Sequence, residues 1–251
     1  MPLDGFTNAG GGYVMTDYME MLYQYIMTGI QVLFVFYFFI RLLHKKMKLY
    51  SYLLFVGCVV WSICFVPGAI IVKLGGLILS LAAVGIFVCH TDWRTAALYA
   101  VLTVEMMQLS YGIVKSLSSI LYPHLSAFDQ NMVGFVFMLT GETVSLLLTW
   151  LCYGMVQRYF ADEVHLFHYG AVDKQYILLV FIPILMIFIM DEYINSFVYG
   201  MVVTNVDGTE NYLYTNHYQM LAIQFLGIGS LFCILSAYKK LLQSFRLSTE
   251  L

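Results

Sequence analysis

Few side chains in this 251-residue chain could do chemistry, and most of those sit inside apolar runs. Glu105 and Gln108 lie about halfway along one run, and Glu142 about halfway along the next. A charge at mid-bilayer depth costs roughly 2.5–3.5 kcal/mol on insertion scales, so each group must face a bundle interior, take up a proton or find a partner. The chemistry open to such a set is that of a buried polar switch or of an ion path. The plainer alternative is a protonated carboxyl bonded to a neighbouring Ser, Thr or Gln, which helps helices associate. Lys115 lies ten residues beyond Glu105, about 15 Å along a helix, and cannot pair with it within one straight helix.

Asp191-Glu192, with Asn195 one turn on, ends a further apolar run. With Tyr199, Tyr212 and Tyr214 they read as a polar rim for a ligand arriving from outside, or simply as a solvated helix end. His165-x-x-His168, preceded by Asp162-Glu163, has neither a third fixed ligand nor an HExxH pattern, so no metal is expected. The nucleophile elbow, the phosphate-binding P-loop and the dinucleotide fingerprint are all absent from the sequence. Glu105 and Glu142 also lack a histidine at matching depth. The chain is therefore not expected to be an enzyme, and no cofactor is implied. Cys58, Cys64, Cys89, Cys152 and Cys233 are scattered through apolar stretches and read as small core hydrophobes.

The elements that would position these residues follow from composition. Apolar residues make up 61% and charged ones 11%, with a mean hydropathy of +0.81. A soluble domain cannot hide so much apolar surface, whereas lipid accepts it. The net charge of -3 gives no basic footprint for nucleic acid. Counting apolar runs long enough to span gives seven segments, at about 17–43, 50–66, 69–89, 95–121, 129–157, 174–196 and 216–238. The run from 50 to 89 is split in two because a single helix would be about twice the hydrocarbon thickness, and Pro67-Gly68 marks a turn at its middle. Ten bases, Arg41, Lys45, Lys46, Lys48, Arg94, Arg158, Lys174, Lys239, Lys240 and Arg246, fall on one side of this scheme. Only Lys73 and Lys115 fall on the other, which implies an N-terminus outside and a C-terminus in the cytoplasm. The expected fold is an all-α polytopic transmembrane helix bundle. It comprises a short disordered outer N-terminus (1–16) without a cleavable signal peptide, a spanning domain (17–238) and the start of a cytoplasmic helix (239–251). No internal repeat is evident. Gly76, Ser80 and Ala83 form a small-residue row on the third span, where a neighbouring helix could approach closely.

Leu231, Leu235, Tyr238, Leu242 and Phe245 follow spacings of 4, 3, 4 and 3, an a/d seam that would run from the seventh span into the cytoplasm. Together with His44–Lys48 after the first span, the turn His90-Thr91-Asp92-Trp93-Arg94, and the exit segment Ala237–Arg246, this pattern resembles the membrane sensor region of GHKL-type sensor histidine kinases. The Agr-type peptide-receptor kinases of Gram-positive bacteria are among them. The resemblance implies a plasma-membrane receptor domain of a two-component, quorum-sensing kind. It would be homodimeric in the lipid bilayer and respond to an extracellular peptide or small molecule. The output would pass through the exit helix to a cytoplasmic kinase module whose histidine and ATP-binding motifs are not in this sequence. The alternative is a small transporter or permease component with Glu105, Gln108 and Glu142 lining a path.

Overall fold

The computed structural model describes the backbone of residues 17–65, 70–125, 130–161, 181–190, 202–204, 210–212 and 217–249, with the side chains of most of them. Helix α1 (Asp17–Leu42), α2 (Leu49–Phe65) and α3 (Ile70–Ala83) are followed by α4 (Trp93–Leu125) and α5 (Gln130–Ala161). A shorter apolar helix, α6 (Phe181–Met190), comes next, and α7 (His217–Thr249) is the last. Helix α3 continues into a π turn, Val84–Val88. The run from 50 to 89 is thus two helices, as the Pro67-Gly68 break implies, although residues 66–69 themselves lie outside the described set.

Among the described residues, the fold is helical apart from one pair of short strands. β1 (Val202–Thr204) pairs antiparallel with β2 (Glu210–Tyr212), Thr204 facing Glu210. The all-helical expectation treats 197–215 as a loop. β-Branched Val202, Val203 and Thr204 suit a strand instead.

Among the described residues, four helices contain stretches long and apolar enough to cross a membrane: Tyr25–Leu42, Trp93–Ser118, Leu139–Arg158 and Tyr218–Leu241. The described apolar stretches Leu49–Ile63, Val72–Val88 and Phe181–Met190 are shorter. Large apolar side chains such as Leu54, Trp61, Leu79, Phe87, Leu147, Ile182 and Leu226 stand exposed on the outside of the bundle. Water would penalise such a surface, and lipid would not, so the fold is compatible with a membrane protein.

α4 is the hub. Its apolar stretch is 83% buried, against 39%, 28% and 22% for those of α1, α5 and α7, and α1, α3, α5 and α7 all pack on it. The reason is visible in its sequence: Thr103, Glu105, Ser110 and Ser116 are buried along it, and polar groups of this kind are driven to the centre when lipid surrounds the bundle. α5 meets α4 through small residues at helical spacing, Ser145, Thr149 and Cys152, all buried. α1 acts as a wedge. Phe36 stacks on Phe55 of α2 with centroids 4.0 Å apart, and Phe38 stacks on Tyr153 of α5 at 3.9 Å.

The closest helix approaches use glycines other than those read from the sequence. Gly76 has nothing within 4 Å of where a Cβ would stand, and Leu74, Leu77 and Leu81 form the buried face of α3 instead. Gly76, the smallest member of the row, therefore takes no close neighbour among the described residues. Close approach occurs at Gly85 against Ala96, at Gly112 against Gln224 and at Gly227 against Leu109.

Candidate functional site

Glu142 is the centre of the best-defined polar cluster. On α5 it accepts a hydrogen bond from the Tyr111 hydroxyl of α4 at 2.8 Å and one from the Gln31 amide of α1 at 3.3 Å. Tyr23, two helical turns before Gln31, buries its hydroxyl in the same neighbourhood. Three helices that are far apart in sequence are thereby tied at one carboxyl group. The 2.8 Å contact is an ordinary O–H···O bond, while 3.3 Å is long for an amide donor, so the phenol is the firmer of the two partners.

Glu142 is the thirteenth of the 32 residues of α5, well inside the helix. Glu105 is at the middle of the apolar stretch of α4 and fully buried. Gln108 is half-buried one turn further on. Tyr111 follows Glu105 by six residues, about 9 Å along the helix and a third of a turn round it. The three residues read as one set from the sequence thus lie at two levels, Glu105 in the core of α4 and Glu142 nearer the end where α4 meets α5.

The core beside Glu105 is well bonded. The Thr103 hydroxyl donates to the Tyr99 carbonyl at 2.7 Å, and the Tyr153 hydroxyl of α5 donates to the Thr103 carbonyl at 2.6 Å. On the other face of α4, Gln224 of α7 is fully buried in the space that Gly112 leaves, where a Cβ would stand only 2.5 Å from its Cδ. Tyr23, Gln31, Tyr111, Gly112 and Gln224 are site residues that the sequence reading missed. Gln31 and Gln224 carried a usable signal, since an amide in an apolar run is subject to the same insertion cost as a carboxyl. Tyr111 carried none, because a tyrosine is unremarkable anywhere in such a chain.

No family model, curated protein or solved structure matches this chain. Its chemistry must therefore be argued from these contacts alone. Asp191, Glu192, Asn195, Tyr199 and Tyr214 lie outside the described residues, as do His165 and His168. Tyr212 ends β2, but its side chain is outside the described set too. Among the described residues, no group of three His, Cys, Asp or Glu side chains is placed to hold a metal.

Part of the exit seam lies inside the bundle. Leu231, Leu235 and Tyr238 are buried within the bundle as part of the same hydrophobic core as Leu102, Met106 and Leu109 of α4. The first three seam residues thus pack within the chain, because spacings of 3 and 4 suit any helix packed on another. Leu242 and Phe245 continue the helix, but their side chains lie outside the described residues.

Proposed function

We propose that this chain is the signal-sensing transmembrane domain of a two-component-type receptor. In this reading it crosses the plasma membrane seven times, with the N-terminus outside and the C-terminus in the cytoplasm of a Gram-positive cell. The observation that carries it is the shared use of α4. One face of α4 holds Glu142 and Gln31 through Tyr111, and another holds the buried seam of α7. α7 then runs unbroken to Thr249, past the apolar stretch that ends at Leu241.

An extracellular peptide or small molecule that rearranged the Glu142 cluster would shift α4, and α7 would move with it. A helix of 33 residues spans about 50 Å, so its far end projects beyond a hydrocarbon core of about 30 Å. Homodimers of the receptor would present two such ends to a kinase module.

The test is a chimera carrying a histidine kinase module after α7, with one to four residues inserted at the junction. Output that rises and falls with helical phase, and a basal output shifted by Glu142→Gln at unchanged membrane level, are the expected results. Output indifferent to both changes would refute the proposal. Solute uptake into proteoliposomes that is abolished by Glu142→Gln would instead establish the transporter.

A further inference from the structure

At the end of the bundle opposite Glu142, bases converge instead of dispersing. A cleft of ≈ 310 Å³ opens between the turn after α1 and the end of the π turn, lined by Lys45, Lys46, Lys48, Ser51 and His90 among others, with no carboxylate in its lining. Two helix ends of the same design build it. After α1, His44 adopts φ 52°, its N–H donates to the Arg41 carbonyl at 3.1 Å, and the Lys45 N–H donates to the Ile40 carbonyl at 3.2 Å. After the π turn, His90 also adopts φ 52°, and the N–H groups of Cys89 and Thr91 donate to the carbonyls of Val84 and Gly85, both at 3.0 Å. Left-handed helix ends of this kind usually take glycine; here both take histidine. The two reversals turn Lys45 and His90 toward one another's strands of chain, and Lys45 is close enough for its charge to act on the Cys89 thiol.

The cleft lies at the level where the apolar stretches stop, Leu42 on α1 and Val88 on the π turn. Leu53 and Leu54 of α2 and Phe87 of the π turn stand exposed just deeper, about one turn along their helices. A basic hollow at the head-group level, flanked by apolar side chains beneath it, matches one class of amphiphile. We infer that the cleft binds the phosphate of an anionic phospholipid, with Lys45, Lys48, Ser51 and His90 around the phosphate and the acyl chains along Leu53, Leu54 and Phe87. Ammonium groups and a hydroxyl suit phosphate oxygens. Scattered surface bases would attract anionic lipid too, but without a fixed position. Asp92 is the nearest carboxyl in sequence to His90. It is not among the residues that line the cleft, and its backbone carbonyl accepts the Ala96 N–H at 3.0 Å at the start of α4.

The test uses the full-length chain in phosphatidylcholine nanodiscs containing phosphatidylglycerol, with retained lipid read by native mass spectrometry. K45Q/K48Q should weaken phosphatidylglycerol retention by roughly 25-fold, at about fivefold per charge. K45R/K48R should restore it, which separates binding from folding. S51A, with every lysine intact, should still lose retention severalfold. The charge-matched control K239Q/K240Q, at bases outside the cleft's lining, should lose several-fold less than K45Q/K48Q. Equal losses in K45Q/K48Q and K239Q/K240Q, or no loss in K45Q/K48Q, would reduce the cleft to general surface charge and overturn the inference. Displacement of the lipid by millimolar pyrophosphate would overturn the lipid assignment in favour of a soluble phosphate compound.

Discussion

Gly85 offers the sharpest test of how this bundle is held. It is buried in the π turn, and a Cβ added there would stand 2.8 Å from Cβ of Ala96 and 3.0 Å from Cζ of Phe39. Non-bonded carbons settle at about 3.5–4.0 Å, so alanine at 85 falls short by roughly 1 Å against a neighbour fixed to its own backbone. Relief requires the first turn of α4 to move off the π turn, or the π turn to rewind. Overpacking of this kind costs about 1–3 kcal/mol, while replacing a helical glycine gives back about 0.5–1 kcal/mol. Gly85→Ala should therefore lower stability by a net amount of about 1–2 kcal/mol. Ala96→Gly alone should cost about 1 kcal/mol as a helix-propensity loss. The double variant removes the 2.8 Å collision and leaves only the tip of the Phe39 ring at 3.0 Å and the Ala96 Cα at 3.6 Å, so its loss should fall short of the sum by about 1 kcal/mol. The assay is equilibrium unfolding of the four proteins in mixed micelles by titration with a denaturing detergent, followed by circular dichroism. A stabilised Gly85→Ala protein, or losses that add to within about 0.3 kcal/mol, would refute the packing argument.

A further outcome concerns the end of α1. Since a non-glycine residue at φ 52° carries a backbone penalty of about 1 kcal/mol, His44→Gly should raise the unfolding midpoint and His44→Val should lower it. A lower midpoint for His44→Gly would mean that the imidazole contributes more than the backbone strain costs.

Much of the helix framework was legible because length and apolar runs are one-dimensional signals. The break between α2 and α3 was readable at Pro67-Gly68, and the polar content of the run holding Glu105 was enough to expect it inside. Pairings were not legible in the same way. Nothing in the sequence sets Gln31 and Tyr111 on Glu142, since each is an ordinary residue until three helices bring them together. Spacing alone also cannot say which small-residue row meets a neighbour. Gly76, Ser80 and Ala83 form the tidier row, yet Gly85, Gly112 and Gly227 are the ones that a neighbour crowds.

The same ambiguity bears most directly on α7. Its seam at Leu231, Leu235 and Tyr238 repeats as a dimer helix would, but all three residues are buried within the chain. One stripe cannot serve two partners at once. If α7 carries a signal, it does so by shifting against α4, across the buried Gln224 and the Gly227–Leu109 contact. Pairing between two copies would then begin beyond Tyr238 or use another face. Bulk added at Gly227 should therefore alter output in the chimera even though that position touches neither the Glu142 cluster nor the kinase junction. A Gly227→Ala chimera, whose new Cβ would stand 2.8 Å from Cδ2 of Leu109, that kept both its stability and its phase-dependent output would place the moving contact elsewhere.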